Sequence, residues 1–170
     1  TNQIGIALLR DISGSYKNIS IVDVGSHAFQ LLQCIATYLT DIEAVRCGGV
    51  GLYVTSGRVS WADPTSNGYP TNTITCINSY FRTNDAEGIL LTGACNGNTF
   101  IGCVSEYSYA SSQGSGNTGY QIRLQNTDNY TPNEFINCWV EGPCQSHVYI
   151  NTPTGNDNRF TNLKHYADGT

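Results

Sequence analysis

The sequence predicts an all-β protein, a right-handed parallel β-helix of about six coils with loop insertions, in which residues 1–170 form a single domain. Two observations predict this fold: a pair of short segments that recurs along the chain, and a composition suited to strands and turns. Only 12% of the residues are charged, Met is absent, and Gly, Asn, Thr and Ser are abundant. A helical protein of this length would need more Glu, Lys, Ala and Leu, so we expect short strands joined by many turns.

The first recurring segment has the pattern of a strand with one buried face. Its second and fourth positions are apolar in every copy, whereas its third position varies. Apolar residues that alternate with a period of two indicate a strand that buries one side. The six copies are Gly5-Ile6-Ala7-Leu8, Ala28-Phe29-Gln30-Leu31, Gly51-Leu52-Tyr53-Val54, Gly88-Ile89-Leu90-Leu91, Gly119-Tyr120-Gln121-Ile122 and His147-Val148-Tyr149-Ile150.

A second segment follows each copy of the first and predicts a second strand in each repeat. In four copies, Asn stands two residues before its first apolar residue, at Asn72, Asn98, Asn133 and Asn158. The six copies begin at Ile19, Ile42, Ile74, Phe100, Phe135 and Phe160.

The spacing of the repeats is uneven, from 23 to 37 residues between successive first segments, although both segments are always present. A constant core with a variable period predicts that each repeat is one coil and that the extra length lies in loops. The insertions run over residues 61–71, 107–118 and 126–132. A sandwich or jelly roll of twelve short strands is the alternative, but it would not require the same motif six times in register.

Charge and cysteine content exclude several classes of partner. The net charge of −5, with eight scattered basic residues, argues against a nucleic-acid partner. No apolar run approaches the ~18–20 residues that membrane insertion requires. The seven cysteines are odd in number and include no CxxC pair, so we expect buried free thiols and neither a metal site nor a cofactor.

Because the chain does not begin with Met, we expect it to be a fragment of a longer chain.

The late copies give the repeat its clearest form, in Asn98-Thr99-Phe100 and in Asn133-Glu134-Phe135-Ile136-Asn137-Cys138. From Gly5 to about Tyr166, this rhythm resembles the right-handed β-helix of phage tailspikes and pectate-lyase-like proteins. Tailspikes of this kind are commonly trimers that bind, and often cleave, the surface polysaccharide of a bacterial host. The resemblance therefore implies a bacterial surface polysaccharide as partner, a homotrimer, and an extracellular or virion-associated location. Because the shared positions are buried, it is specific for architecture and not for activity.

Two glutamates are the candidate catalytic residues. Equivalent positions of stacked coils form ladders with steps of about 4.8 Å. Counting six residues on from each second segment places Glu106 and Glu141 on neighbouring rungs, with Tyr80 beside them and Trp139 two residues from Glu141. Two carboxylates this close have their pKa values pushed apart into an acid and a base, and a separation near ~5 Å suits a retaining glycosidase. The alternative is that both are solvated surface glutamates. Asp63, Glu43 and Glu87 are further carboxylates without an evident partner in the sequence.

Aromatic residues in the insertions are further candidates for sugar contacts. An aromatic ring offers an apolar face with a polar rim, which suits the CH face of a sugar. Alternatively, these rings pack the loops against the solenoid or a neighbouring subunit. The substrate-binding candidates are Trp139, Tyr80, Trp61, Tyr69, Tyr107 and Tyr109.

Outward apolar positions predict an interface. Ile101 and Ile136 occupy the same variable position on adjacent coils, and Leu9 and Leu32 form a similar pair. Exposed apolar ladders mark an interface or a patch covered by a loop. Both ends of the repeat would also leave open strand edges, so we expect capping by missing sequence, by a neighbouring domain or by a homotrimer.

Together these patterns predict a module that recognises polysaccharide, either as a depolymerase or without catalysis. A glycosidase would use Glu106 and Glu141. A lyase would need a Lys, Arg or Tyr base beside a carboxylate or calcium, for which Arg46, Lys164 and Tyr80 are the candidates. The rival function is a structural or adhesive shaft of a trimeric fibre. Aromatic side chains gathered in one groove would favour binding, and a smooth face buried by sister chains would favour the shaft.

Overall fold

A computed structural model describes residues 3–57, 69–108, 119–125, 131–152 and 158–166. In these ranges all the regular secondary structure is β-strand, and the strands pair in parallel. The strands are β1 (Ile6–Leu9), β2 (Ser15–Val22), β3 (Phe29–Leu32), β4 (Tyr38–Val45), β5 (Leu52–Thr55), β6 (Thr71–Asn72), β7 (Thr75–Ile77), β8 (Tyr80–Arg82), β9 (Ile89–Thr92), β10 (Cys95–Asn96), β11 (Thr99–Ile101), β12 (Val104–Glu106), β13 (Tyr120–Gln125), β14 (Glu134–Ile136), β15 (Trp139–Glu141), β16 (Ser146–Asn151), β17 (Arg159–Thr161) and β18 (Lys164–Tyr166).

The strands stack into three sheets. A six-stranded sheet has the order β1-β3-β5-β9-β13-β16 and contains the first segment of each repeat. A ten-stranded sheet contains the second segments, and β6 and β10 form a two-stranded sheet. Neighbouring strands are one repeat apart in the sequence, so the chain winds through the same sheets again and again. This topology is a parallel β-helix, which confirms the predicted fold class.

The ten-stranded sheet forks into two arms. β4 pairs with β7 through residues 38–40 and with β8 through residues 43–45. The first arm continues through β11, β14 and β17, and the second arm continues through β12, β15 and β18. Each coil bends at the fork through one residue with positive φ, a conformation that Asn, Asp and Gly adopt most readily. These residues are Asn18, Asp41, Asn78, Gly102, Asn137 and Asn162.

The core lies between the sheets and is built from ladders of identical or similar side chains. Phe100, Phe135 and Phe160 stack with ring centroids 4.6 and 4.9 Å apart and planes within 7° of parallel. The amide of Asn98 donates to the side-chain oxygen of Asn133 at 2.9 Å, and Asn133 donates to Asn158 at 3.0 Å. The stacked rings bury apolar area, and the buried amides satisfy one another's hydrogen bonds, so both ladders hold successive coils in register.

Six of the seven cysteines belong to this core, as predicted. All seven are free, and six of them are buried; Cys144 is half-buried. Burial raises the pKa of the Cys95 thiol, which keeps it protonated. The thiols therefore act as small apolar side chains.

The predicted register of the second segment is wrong in the first three coils. Phe100 pairs with Cys76. On the next strands, Cys76 pairs with Leu39, and Leu39 pairs with Tyr16. The sequence prediction placed three other residues there, Ile74, Ile42 and Ile19. Because inward apolar residues occur on both sides of the bend, a shifted copy still matches the apolar pattern. For the same reason Asn72 is outside the asparagine ladder; it pairs with Asn96 in the two-stranded sheet.

One copy of the first segment is also shifted. Ile122, and not Tyr120, pairs with Ile89, so Gln121 takes the rung that Gly88 holds in the preceding coil. A shift of two residues leaves an alternating pattern unchanged, which is why the sequence did not reveal it.

Outward apolar pairs and open edges occur as expected. Ile101 pairs with Ile136, and Leu9 pairs with Leu32. Within the described part of the chain, β1 and β16 are the edge strands of the six-stranded sheet. The homotrimer stays a prediction. No helix long and apolar enough to cross a bilayer occurs in the described ranges.

Candidate functional site

The candidate site lies on the outward face of the second arm, where β8, β12, β15 and β18 lie side by side. The middle residue of each of the first three strands, Phe81, Ser105 and Val140, points into the core and is buried. The flanking residues therefore point outward. They form two columns, one of Tyr80, Val104, Trp139 and Lys164 and the other of Arg82, Glu106, Glu141 and Tyr166.

Glu106 on β12 pairs directly with Glu141 on the neighbouring strand β15, which confirms their predicted register. The main-chain spacing of adjacent strands, about 4.8 Å, brings the two outward carboxylates to the same patch of surface. Their catalytic role stays a prediction.

Glu106 is held by two neighbours from the preceding coil. Its Oε1 accepts a hydrogen bond from the hydroxyl of Tyr80. The same oxygen lies 3.2 Å from Nε of Arg82. The Glu106 side chain keeps 14% of its surface exposed, so it is sheltered but reachable from solvent. Arg82 thus places a permanent positive charge beside this carboxylate.

Glu141 is held by neutral donors. Its Oε2 accepts a hydrogen bond of 2.9 Å from the indole nitrogen of Trp139, and its Oε1 accepts one of 3.3 Å from the hydroxyl of Tyr107. The two glutamates therefore differ in their partners: Glu106 has an ion pair, and among the described residues Glu141 has hydrogen bonds from uncharged groups alone.

Gly142 allows Tyr107 to reach Glu141. Tyr107 has a φ of 50°, and Gly142 on the next coil has a φ of 102°. A Cβ at Gly142 would lie 2.9 Å from the Tyr107 nitrogen and 3.0 Å from its Cα. Only glycine permits this approach, since both the backbone angle and the contact exclude a side chain.

The Tyr80 hydroxyl titrates late. Burial, the hydrogen bond to Glu106 and the charge of that carboxylate together raise the pKa of Tyr80 to about 12. The phenol therefore stays protonated at neutral pH and donates its proton to Glu106.

The structure gathers some of the predicted aromatic residues and separates others. Trp139, Tyr80 and Tyr107 all lie around the glutamate pair, and Trp139 is 37% exposed. Tyr69 lies elsewhere, in a groove of about 220 Å³ lined by Arg10, Ile12, Gln33, Ile35 and Tyr69. Trp61 and Tyr109 lie outside the described residues.

The predicted position of Tyr80 needs a correction. Tyr80 pairs with Val104, and the residue of β8 that pairs with Glu106 is Arg82. The error follows from the shifted start of the second segment in the third coil. Tyr80 still reaches Glu106 because its side chain crosses diagonally to the next column. Sequence reasoning missed Arg82, although the correct register would have placed it beside Glu106.

A second cluster with similar residues lies at the start of β9 and β13. Arg123 Nη1 lies 3.1 Å from Glu87 Oε1, and the Glu87 side chain is only 4% exposed. The guanidinium lies over the rings of Tyr120 and Tyr149, which stack with centroids 4.3 Å apart. The sequence showed no partner for Glu87; in the structure its buried carboxylate is paired with Arg123.

The described residues contain no group of three His, Cys, Asp or Glu side chains that could hold a metal ion. The arrangement on the second arm can nevertheless do acid–base chemistry. It offers two carboxylates side by side, one beside a fixed cation and one beside neutral donors, next to an exposed indole ring. Such a pair can accept and donate protons on one face of a bound molecule.

Comparisons with known proteins give one structural likeness. No protein-family model matches the sequence, and no curated protein matches it. The chain is similar to the A-module of a mannuronan C-5 epimerase, AlgE6, of Azotobacter vinelandii, with a TM-score of 0.46 and 11% sequence identity. The match covers 96% of this chain and 58% of that chain, so this chain spans less than two thirds of the module. The fold assignment rests on the strand order described above.

Proposed function

We propose that this protein binds polysaccharide on the outward face of the second arm and hydrolyses it with Glu106 and Glu141. The observation that carries the proposal is the pairing of these two glutamates on neighbouring rungs, next to the exposed ring of Trp139. Carboxylates about 5 Å apart are the arrangement of retaining glycosidases, and an aromatic ring is a common platform for a sugar. A bacterial surface glycan and an extracellular or virion-associated location belong to this proposal.

The different partners of the two glutamates suggest their roles. Glu106, beside the Arg82 guanidinium, is the carboxylate that attacks the anomeric carbon and forms the glycosyl ester. Glu141, held by Trp139 and Tyr107, gives its proton to the glycosidic oxygen as that bond breaks. In the second step Glu141 takes a proton from water, and the water oxygen attacks the anomeric carbon and releases Glu106.

A lyase mechanism has less support. It needs a base that removes a proton next to a carboxyl group. The pKa of Tyr80 is raised to about 12, so its phenol is a poor base at neutral pH. Arg46 is paired with Asp23 at 2.7 Å, on the coil that precedes the Tyr80 rung. Lys164 is the remaining candidate, and it lies one coil beyond Trp139.

The test is release of reducing ends from a panel of bacterial capsular and O-antigen polysaccharides. We expect Glu106→Gln and Glu141→Gln each to lower the rate by about 10²–10⁴-fold, because each removes a proton-transfer or covalent step. Glu134→Gln is the matched control: Glu134 lies on β14 in the first arm, and its Oε1 lies 3.3 Å from Nη1 of Arg159. Its rate should equal that of the wild type.

Three outcomes separate the alternatives. Release that both variants abolish, with unchanged thermal unfolding, supports hydrolysis. Glycan binding without release, in the wild type itself, reduces the proposal to a binding module. Neither binding nor release would favour the shaft.

One observation favours the shaft as the second candidate. The groove at Ile12, Ile35 and Tyr69 exposes apolar side chains at a corner remote in sequence from the glutamate pair. Exposed apolar patches of this kind commonly contact another chain. A shaft would need such contacts and no hydrolytic site.

A further inference from the structure

We propose that the surface beyond Glu141 is a subsite for a sugar that carries an anionic substituent, with Lys164 as the partner of that charge. The subsite consists of Trp139, Glu141, Lys164 and Tyr166. This inference rests on the proposed function, since it concerns the glycan that the glutamate pair would cleave.

The four residues form the corners of one rectangle on β15 and β18. Trp139 pairs with Lys164, and Glu141 pairs with Tyr166. Adjacent strands are about 4.8 Å apart and alternate residues of a strand are about 6.6 Å apart, so the rectangle has the dimensions of a single pyranose ring. All four side chains lie at outward positions.

The two aromatic residues occupy opposite corners and are accessible. Trp139 is 37% exposed and Tyr166 is 56% exposed. Exposed rings at this spacing can lie under the CH face of one sugar or of two successive sugars. The rectangle therefore offers stacking surface immediately next to Glu141.

The charge of Lys164 is not used within the described part of the protein. The four ion pairs among the described residues all use arginine: Arg46, Arg82, Arg123 and Arg159. Glu141, the carboxylate closest to Lys164 in the ladder, instead accepts hydrogen bonds from Trp139 and Tyr107. An ammonium group is a compact charge with three donors and can bind a carboxylate, sulfate or phosphate from any side.

The charge distribution along the face fixes the side on which the anion binds. On the preceding coils, the outward positions hold Glu43 and the Arg82–Glu106 ion pair. An anionic substituent would be repelled by Glu43 and would find the Arg82 charge already neutralised. In the described part of the chain, the coil after Glu141 presents Lys164 beside Trp139, so the anionic sugar belongs on this side of the pair.

The experiment compares acidic glycans with neutral counterparts of the same backbone. The probes are hexagalacturonate and the neutral hexamer obtained by reducing its carboxyl groups, dextran sulfate and dextran, and acidic bacterial capsular polysaccharides with their carboxyl-reduced forms. Equilibrium binding is measured for the wild type, for Lys164→Gln and for Lys17→Gln. Lys17 is an exposed lysine of β2 at the far end of the molecule and serves as the matched control.

We expect the wild type to bind at least one acidic probe about tenfold more tightly than its neutral counterpart, as one well-placed charge-assisted hydrogen bond allows. Lys164→Gln should remove that preference and leave the affinity for the neutral form unchanged, and Lys17→Gln should change neither. A preference for uronates over dextran sulfate would identify the anion as a carboxylate, and the reverse would identify it as a sulfate ester.

The results that overturn the two proposals differ. Equal affinity for acidic and neutral forms, or a preference that survives Lys164→Gln, overturns the subsite and leaves glycan hydrolysis standing. Absence of binding to every probe, acidic or neutral, overturns both. The protein with both lysines intact, the Lys164→Gln variant and the Lys17→Gln variant all carry Glu106→Gln in this measurement, so the probes are not hydrolysed while binding is measured.

Discussion

Two clusters in the described part of this protein combine glutamate, arginine and tyrosine, and one of them is the proposed catalytic site. At the start of β9 and β13, Glu87 is 4% exposed and its charge is matched by Arg123, which lies over two stacked tyrosine rings. On the second arm, Glu106 and Glu141 are paired with each other across a rung, and Arg82 touches only the first of them. In the Glu87 cluster the carboxylate and the guanidinium neutralise each other, whereas the second arm leaves a carboxylate next to solvent.

The difference shows that residue types alone do not identify a site. A buried ion pair is satisfied by its partner and its removal affects folding. A pair of like charges on one surface is costly for stability and is retained where it serves chemistry. The three comparisons below test whether the clusters divide in this way.

The largest effect on stability is expected from Glu87→Gln. It leaves Arg123, which is 27% exposed, without its carboxylate, so we expect a loss of about 2–3 kcal/mol in the free energy of unfolding, toward the low end for buried pairs. Glu106→Gln should cost less than about 1 kcal/mol, because its partner Arg82 is 51% exposed. Urea unfolding of both variants measures the difference. Equal losses would show that the two clusters have the same role.

A smaller loss, but in both stability and activity, is expected from Gly142→Ala. The φ of 102° and the contact of the new Cβ with Tyr107 should cost about 1–3 kcal/mol and move the Tyr107 hydroxyl away from Glu141. Gly97→Ala is the matched control: Gly97 also has positive φ, at 62°, but its Cβ would meet Thr131 at an ordinary 3.4 Å, away from the site. Reducing-end release should fall in Gly142→Ala and stay unchanged in Gly97→Ala. A similar fall in both variants would remove Tyr107 from the site.

The smallest effect is expected in the titration of Tyr80. Its folded pKa of about 12 lies above the unfolded value of 10.0, so the folded state holds a proton that the unfolded state has lost. This contribution to stability is complete below pH 10 and disappears as the pH rises toward 12. Tyrosinate absorbance should show a late-titrating tyrosine that titrates earlier in Glu106→Gln. Tyr80→Phe should remove this tyrosine from the titration and weaken the alkaline loss of stability. An unchanged alkaline titration in both variants would contradict the hydrogen bond to Glu106.

The sequence was sufficient for the architecture because its signal is repeated in every coil. Alternating pairs such as Phe29 with Leu31 and Ile89 with Leu91 are buried as predicted, and the late second segments share one register. That register also predicted the pairing of Glu106 with Glu141. Both results depend on inward positions, where burial restricts the choice of residue.

The sequence was insufficient where the chain turns. Corner residues such as Arg10, Ala36 and Arg46 have positive φ although their side chains do not favour it, so no residue type marked these corners. Without them, the starts of the early second segments were misplaced, and Arg82 was not recognised as the neighbour of Glu106. The partner of Glu87 was missed for another reason: Arg123 lies in the one first segment whose register was shifted.

The pairing of Glu106 with Glu141 on neighbouring strands lets the main chain set the spacing of the two proposed catalytic residues. The step between coils is set by main-chain hydrogen bonds at about 4.8 Å, whatever the loops or the side-chain packing. Carboxylates one step apart match the separation for retention of anomeric configuration, and carboxylates two steps apart, at about 9.6 Å, lie close to the range for inversion. In a solenoid of this kind, the number of coils between two catalytic glutamates would therefore decide the stereochemistry of hydrolysis. Moving one glutamate by a single coil is the discrete change that would convert one outcome into the other.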